Sequence, residues 1–331
     1  MHVTRETLIR VAKDTAEKSA LSDPGLVAAY LTGSLRTNDP FLGNTADIDI
    51  VYVHAGESQV RREIIPLTPE IHFDIVHNPR SLYDKPKELR VHPWLGPELY
   101  DPLPLYAARH FLEYIQAAVR DRYHEPANVQ LRSQRLTEEA RQVWQTIPTS
   151  PTFGPGQVLG YLKSINLAAN AVGLLGGDPL AERRFLIQFP ARARAAGQVG
   201  LVAGLVHLLG VNQVNATTLA GFLPDWEKAF IEAASLPSIE SRIVPARLGY
   251  YKLAFESMLK SETPLAILWP LMQTWTLSVS VLPAMWDGAW RAACAAIGLD
   301  EGSFGERMEG LNLFLDDIET LQGNLTARQK L

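Results

Sequence analysis

Cysteine is almost absent from the chain: Cys294, set in Ala292-Ala293-Cys294-Ala295-Ala296, is the only one. That excludes an intramolecular disulfide and a cysteine-built zinc site, and it suits a reducing compartment. Among four alanines the thiol reads as a small buried side chain rather than a nucleophile. A basic excess is missing too. Lys and Arg number 31 against 36 Asp and Glu, for a net charge of −5, and neither half of the chain is basic. The electrostatic footprint of a general nucleic-acid binder is therefore lacking. The first 18 residues carry charges throughout and lack an apolar secretory core, so a cytoplasmic location is expected.

Two stretches lack charge, 195–224 and 263–286, and each is long enough to span a bilayer. The first is broken by Gly197, Gly200, Gly204, Gly210 and Gly221 and by His207, Asn212, Gln213 and Asn215. The second holds Pro270, Pro283, Gln273, Ser278 and Ser280. Buried helices of a bundle explain both, and no membrane partner is expected. No repeat of fixed period stands out, which argues against a solenoid.

The composition that remains, 47% apolar and 20% charged over 331 residues, is that of a globular protein with room for two domains. The chemistry concentrates in residues 25–54. An apolar run from Leu26 to Leu31 ends on Gly33-Ser34, a turn-rich segment with Pro40 and Gly43 follows, and a second apolar run carries Asp47 and Asp49. The second run is short, β-branched and bounded by turn formers, hence a strand. Residues two apart on a strand share a face. Asp47 and Asp49 thus point one way while Ile48 and Ile50 point into the core. At a rise of ~3.3 Å per residue the two carboxylates sit close enough to repel unless a cation lies between them, and Mg²⁺ is the hard, oxygen-bound ion that suits.

A third strand-like run spans 70–77. Ile71, Phe73 and Ile75 form one face; His72, Asp74 and Val76 form the other. Asp74 is an acid where strand propensity disfavours one. Laid beside the Asp47 strand, it completes three carboxylates. Gly33 lacks a Cβ, so a phosphate can approach the backbone there, with the Ser34 hydroxyl as donor.

Gly33-Ser34, twelve intervening residues, Asp47-Ile48-Asp49, and Asp74 on a later strand together resemble the DNA polymerase beta-like nucleotidyltransferase superfamily. The resemblance covers residues 25–80 and implies that the Gly-Ser turn holds a nucleoside triphosphate. It also implies that the three acids bind two Mg²⁺ ions, with Mn²⁺ as an alternative. The implied reaction passes a nucleoside monophosphate, AMP from ATP or the equivalent from another NTP, to an acceptor hydroxyl. Asp47 and Asp49 are the expected bridging ligands. Asp74 is a metal ligand, a general base or both; in related antibiotic-modifying enzymes the matching acid is a glutamate acting as base.

Other candidates have two readings each. Arg36 pairs with phosphate or is a solvated turn arginine. Thr45 bonds phosphate or caps the turn. His72 touches acceptor or metal, or is a satisfied strand histidine. Lys163, alone in an uncharged helix, reaches the triphosphate or snorkels to solvent. Trp269, Trp275, Trp286, Trp290, Tyr250 and Tyr251 stack on a base or belong to the core. Asp316, Asp317 and Glu319 form a solvated face or an acidic patch for a polycationic acceptor.

Along the chain, residues 4–20 read as an amphipathic helix capped by Thr4, 57–65 as a short helix, and 78–104, with six prolines, as a loop with short turns. Helical periodicity returns at 105–124. Further helices are expected at 128–146, 155–175, 179–195, 198–210, 216–235, 238–260, 264–282, 284–297 and 303–322. Joins fall at Pro148, Pro151, Gly176-Gly177-Asp178-Pro179, Pro224, Pro237, Pro264 and Gly298. The expected fold is α+β: a small mixed-sheet nucleotidyltransferase domain over 1–125, then a large all-α domain over 126–331.

The layout resembles antibiotic nucleotidyltransferases of the aminoglycoside and lincosamide type, although the helical part is larger here. The expected activity is transfer of a nucleotide to a small-molecule hydroxyl, such as that of an aminoglycoside-type compound. The alternatives are a toxin-like or tRNA-modifying transferase, which the absent basic excess disfavours, and a catalytically silent nucleotide-binding or interaction module.

Overall fold

The computed structural model describes residues 3–147, 153–237 and 239–329. The protein is α+β, with one five-stranded mixed sheet and a large helical part. It divides into two compact units, Met1–Asn128 with Gly249–Ala254, and Val129–Leu248 with Phe255–Leu331.

The first unit opens with α1 (Arg5–Ser22), whose N-cap Thr4 accepts a hydrogen bond from the Thr7 N–H at 3.2 Å. The strands are β1 (Leu26–Leu31), β2 (Ala46–His54), β3 (Arg62–Pro66), β4 (Ile71–Pro79) and β5 (Leu103–Ala107). They lie in the order β3-β4-β2-β1-β5. β2 and β4 run parallel, and every other pairing is antiparallel. Strand alternation sorts the side chains onto two faces. Leu31, Ile48, Ile50, Ile71, Phe73 and Ile75 pack with Leu8, Ala12 and Ala16 of α1. Tyr30, Val51 and Val53 pack on the opposite face with Tyr83, Leu99, Leu112 and Ile115.

Three local expectations change. Residues 57–65 are not a helix: Arg62–Pro66 is the edge strand β3, paired with β4 alone. Charges and a proline are how edge strands avoid further pairing, and here they blur the strand pattern. Residues 78–104 are more ordered than a loop. They form a 3-10 turn at Arg80–Tyr83, α2 (Pro86–Leu89) and α3 (Leu95–Tyr100), and they lead into β5. Residues 105–107 belong to β5, which takes the other sheet edge despite Pro104, and the helix α4 starts later (Phe111–Arg120).

The second unit takes most of α5 (Pro126–Thr146), then α6 (Pro155–Gly173), α7 (Phe185–Ala195), α8 (Gly200–Leu208) and α9 (Ala216–Ala234). Next come α10 (Leu248–Leu259), shared with the first unit, then α11 (Leu268–Val281), α12 (Asp287–Ala296) and α13 (Phe304–Gln329). Residues 238–260 are not one helix: 3-10 turns at Ser241–Ile243 and Pro245–Arg247 precede α10, because Pro245 has no N–H to continue a helical ladder. Pro148 and Pro151 lie outside the described residues. No described helix is long and apolar enough to cross a membrane.

Trp226, Trp269, Trp275 and Trp290 are fully buried. Trp226 Nε1–H donates to Thr274 Oγ1 at 2.9 Å, and Trp290 Nε1–H to Thr276 Oγ1 at 3.0 Å. Two threonines of α11 thus satisfy the polar ends of two core indoles. Thr274→Val keeps the shape and strands the Trp226 donor, so a loss of about 1–3 kcal/mol is expected in urea unfolding. An unchanged midpoint would show that the indole N–H needs no partner.

Candidate functional site

The face that carries Tyr30, Val51 and Val53 also carries the acids. Asp47 and Asp49 precede Val51 on that side of β2, and His72 and Asp74 occupy the same side of β4. The parallel register sets Asp49 directly beside Asp74 and Asp47 beside His72. The strands therefore bring the three expected acids to neighbouring positions of one sheet face.

The Gly-Ser turn joins them. Gly33 has φ +67° and ψ −156°, a region open to glycine alone. A Cβ built there would lie 1.7 Å from Asp49 Oδ2, so the turn and the carboxylate touch only because the side chain is missing. Thr32 N–H donates to the Asp49 carbonyl at 2.9 Å and fixes the turn against β2. Ser34 Oγ is buried and has no hydrogen-bond partner among the described residues. A buried hydroxyl without a partner is costly, and an anion seated in this turn would relieve it.

The carboxylates themselves do not meet at one point. Asp74, 2% exposed, is gripped by Arg62 of β3, with Nε at 2.7 Å from Oδ1 and Nη2 at 2.6 Å from Oδ2. Asp47 Oδ2 accepts from the Tyr250 hydroxyl at 2.7 Å. Among the described residues no three His, Cys, Asp or Glu side chains stand in a metal-holding group. The donor set that suits Mg²⁺ is thus Asp47 with Asp49. One or two carboxylates, with substrate phosphates and water completing the shell, are the usual holders of that ion.

Residues 249–254 of α10 close this side of the site. His72, fully buried, meets the Tyr250 ring edge-on at 4.8 Å. Thr45 is buried, and its hydroxyl donates to the Leu42 carbonyl at 2.7 Å and the Tyr250 carbonyl at 3.3 Å, so it caps its turn. Arg36 Nη1 lies 3.5 Å from the Glu98 carbonyl. Lys163 belongs to the second unit, where it is 60% exposed and stands 3.8 Å from Glu139, as a snorkelling lysine does. In the same unit Asp316 and Glu319 both pair with Arg141, at 2.7 and 3.0 Å, which offsets part of the acidic patch.

Beside the acids runs a chain of donors that sequence reading missed. Asn78 Nδ2–H donates to the Tyr83 hydroxyl at 2.9 Å, the Tyr83 and Tyr30 hydroxyls are 2.9 Å apart, and Tyr30 donates to Glu98 Oε1 at 2.6 Å. Burial raises the Glu98 carboxyl above its ordinary value, opposed by the Tyr30 hydrogen bond and the charge of Arg36. Burial also pushes both tyrosines upward, so they stay protonated donors. Arg62, Glu98 and Tyr250 carry no local signal; each sits in a segment that reads as helix, loop or core.

No protein-family model matches the chain, and no curated protein does.

Two outcomes test this geometry. Gly33→Ala meets both the forbidden backbone region and the Asp49 carboxylate, and it should cost about 1–3 kcal/mol in denaturant unfolding; a neutral substitution would mean that the turn does not press on β2. Glu98 binds its proton more tightly folded than unfolded, so its contribution is full at low pH and is lost as pH rises through the raised value. Glu98→Gln should remove that decline, so that its stability exceeds wild type at pH 8 and converges with it near pH 4. Parallel wild-type and variant profiles would refute the assignment.

Proposed function

We propose that the protein is a metal-dependent nucleotidyltransferase that moves a nucleoside monophosphate, AMP from ATP in the first instance, to a hydroxyl of a small-molecule acceptor. The observation that carries the reading is the contact of the Gly33-Ser34 turn with Asp49 on the face shared by Asp47 and Asp74. A triphosphate and two carboxylates repel each other unless a cation separates them, and the partnerless Ser34 hydroxyl is a donor in search of an anion.

In the proposed reaction the acceptor oxygen forms a bond to the α-phosphorus while the bond to the pyrophosphate oxygen breaks. The acceptor proton leaves to a base, and pyrophosphate departs. Mg²⁺ held by Asp47 and Asp49 would neutralise charge gathering on the phosphate oxygens. Ser34 donates to a β- or γ-phosphate oxygen, and the Gly33 backbone permits the close approach. Tyr250 fixes one lone pair of Asp47 and so sets the direction of the other. The Arg62 fork holds Asp74, which serves as third ligand or as base once that fork opens. A nucleotide-binding module without transfer is the second reading, and the closed Arg62–Asp74 pair favours it.

Incubation with each labelled NTP, with and without Mg²⁺, in the presence of aminoglycosides, lincosamides or bulk tRNA, identifies donor and acceptor. Asp47→Ala should abolish Mg²⁺-dependent transfer while the far-UV circular dichroism stays that of wild type. Ser34→Ala should weaken triphosphate binding about tenfold, the worth of one charge-assisted hydrogen bond. Mg²⁺-dependent binding without any labelled product would leave the silent module. Full transfer by Asp47→Ala would remove the metal site from the scheme.

A further inference from the structure

At the end of the sheet remote from the Gly-Ser turn, on the face packed against α1, four titratable groups from four segments form a line. Asp23, just after α1, has Oδ2 3.2 Å from His54 Nδ1 at the end of β2. His54 Nε2 is 2.9 Å from His77 Nδ1 on β4. His77 Nε2 is 3.2 Å from Glu63 Oε1 on β3, within ion-pair reach but not aligned as a hydrogen bond. Tyr52 of β2 lies edge-on to His77, with its hydroxyl 3.0 Å from that of Ser19 on α1.

We propose that His54 and His77 form an acid-sensitive fastener for this end of the sheet, which holds near neutral pH and loosens as the second imidazole takes up its proton.

The proton count carries the inference. Two imidazoles present four nitrogens to three contacts. Two neutral rings hold two protons, enough to satisfy two of the three. A third proton leaves one donor between the rings and puts the charge between two carboxylates. A fourth sets N–H against N–H across 2.9 Å. The closed cluster therefore admits one excess proton and resists the next, whereas separated rings accept both.

The ring geometry fits a shared proton. The centroids are 5.1 Å apart with planes inclined by only 22°, and the facing nitrogens are 2.9 Å apart, so the rings meet edge to edge rather than in a stack. Lone pairs aimed at each other do not converge on a third point, which is what a metal ion requires. Burial, the largest influence, keeps His77 below the ordinary imidazole value against the upward pull of Glu63, and the neighbouring His54 charge lowers it further. A depressed folded value means that stability is full above the unfolded value of about 6.5 and is lost as pH falls below it.

β3 is the strand most exposed to such loosening, since it pairs with β4 alone. It carries Glu63 on this face and, one residue earlier, Arg62 on the opposite face in its fork with Asp74. Loosening this end thus reaches Asp74. The fastener itself is independent of the proposed transfer reaction; only that consequence rests on it.

The test is histidine-resolved NMR titration of the full chain, with amide hydrogen exchange followed from pH 8 to pH 5 and corrected for intrinsic rates. The pair should take up its protons in two separated steps, the second at His77 and displaced to low pH. Between the ordinary imidazole value of about 6.5 and that second step, protection at 62–63 and 76–78 should fall about tenfold per pH unit, the slope of one withheld proton, while the α6 amides of the second unit do not follow. His54→Gln should flatten that slope, whereas Glu63→Gln, which removes the upward pull on His77, should keep or extend it. Two independent ordinary titrations, an unchanged slope in His54→Gln, or a flattened one in Glu63→Gln would overturn the proposal. So would a shift of both rings by one equivalent of Zn²⁺ in place of the two-step titration.

Discussion

Everything in the candidate site depends on the parallel pairing of β2 with β4. That register alone decides that Asp49 stands beside Asp74 and that both share a face with Asp47. A slip of one residue would carry Asp74 to the α1 side, among Leu8, Ile48 and Ile50, where an acid has no compensation. The apolar alternation that builds the core and the polar alternation that builds the site are therefore one pattern, and neither can change without the other.

Within that frame the acids are held rather than loose. Arg62 clasps Asp74, Tyr250 restrains Asp47, and Gly33 lies against Asp49. Each restraint comes from a different part of the chain: an edge strand, a distant helix and a turn. Side chains fixed in this way keep little freedom to lose, which distinguishes the group from a cluster of loose surface charges.

The acids' shared face was legible in the sequence because a two-residue period is a local property. Ile48, Ile50, Phe73 and Ile75 announce the core side, and the aspartates between them follow. The two edge strands were not legible. β3 is short and begins Arg62-Glu63, and β5 carries Pro104, so charge and proline mask them as they guard the edges. Nor could the partners of the acids be found. Tyr250 lies 203 positions beyond Asp47, and nothing within α10 sets it apart from a core aromatic. Glu98 sits in a proline-rich stretch whose short helices are too brief to show a period. In the second unit, by contrast, the glycines and prolines that punctuate the chain mark most helix ends, Pro245 being the break that periodicity alone passed over.

The small share of α10 that counts with the first unit has a consequence for how the chain is made. During synthesis the sheet can form once β5 has emerged, yet Thr45, Asp47 and His72 still wait for a tyrosine encoded more than two hundred codons after Asp47. Until then Asp47 lacks its tyrosine donor and the turn around Gly43 lacks the Leu253 carbonyl that abuts it. Closing so long a loop is a late step in folding. The acidic end of the sheet is therefore finished only after most of the helical part has been translated, since residues 1–128 hold all five strands but not the helix that completes that end.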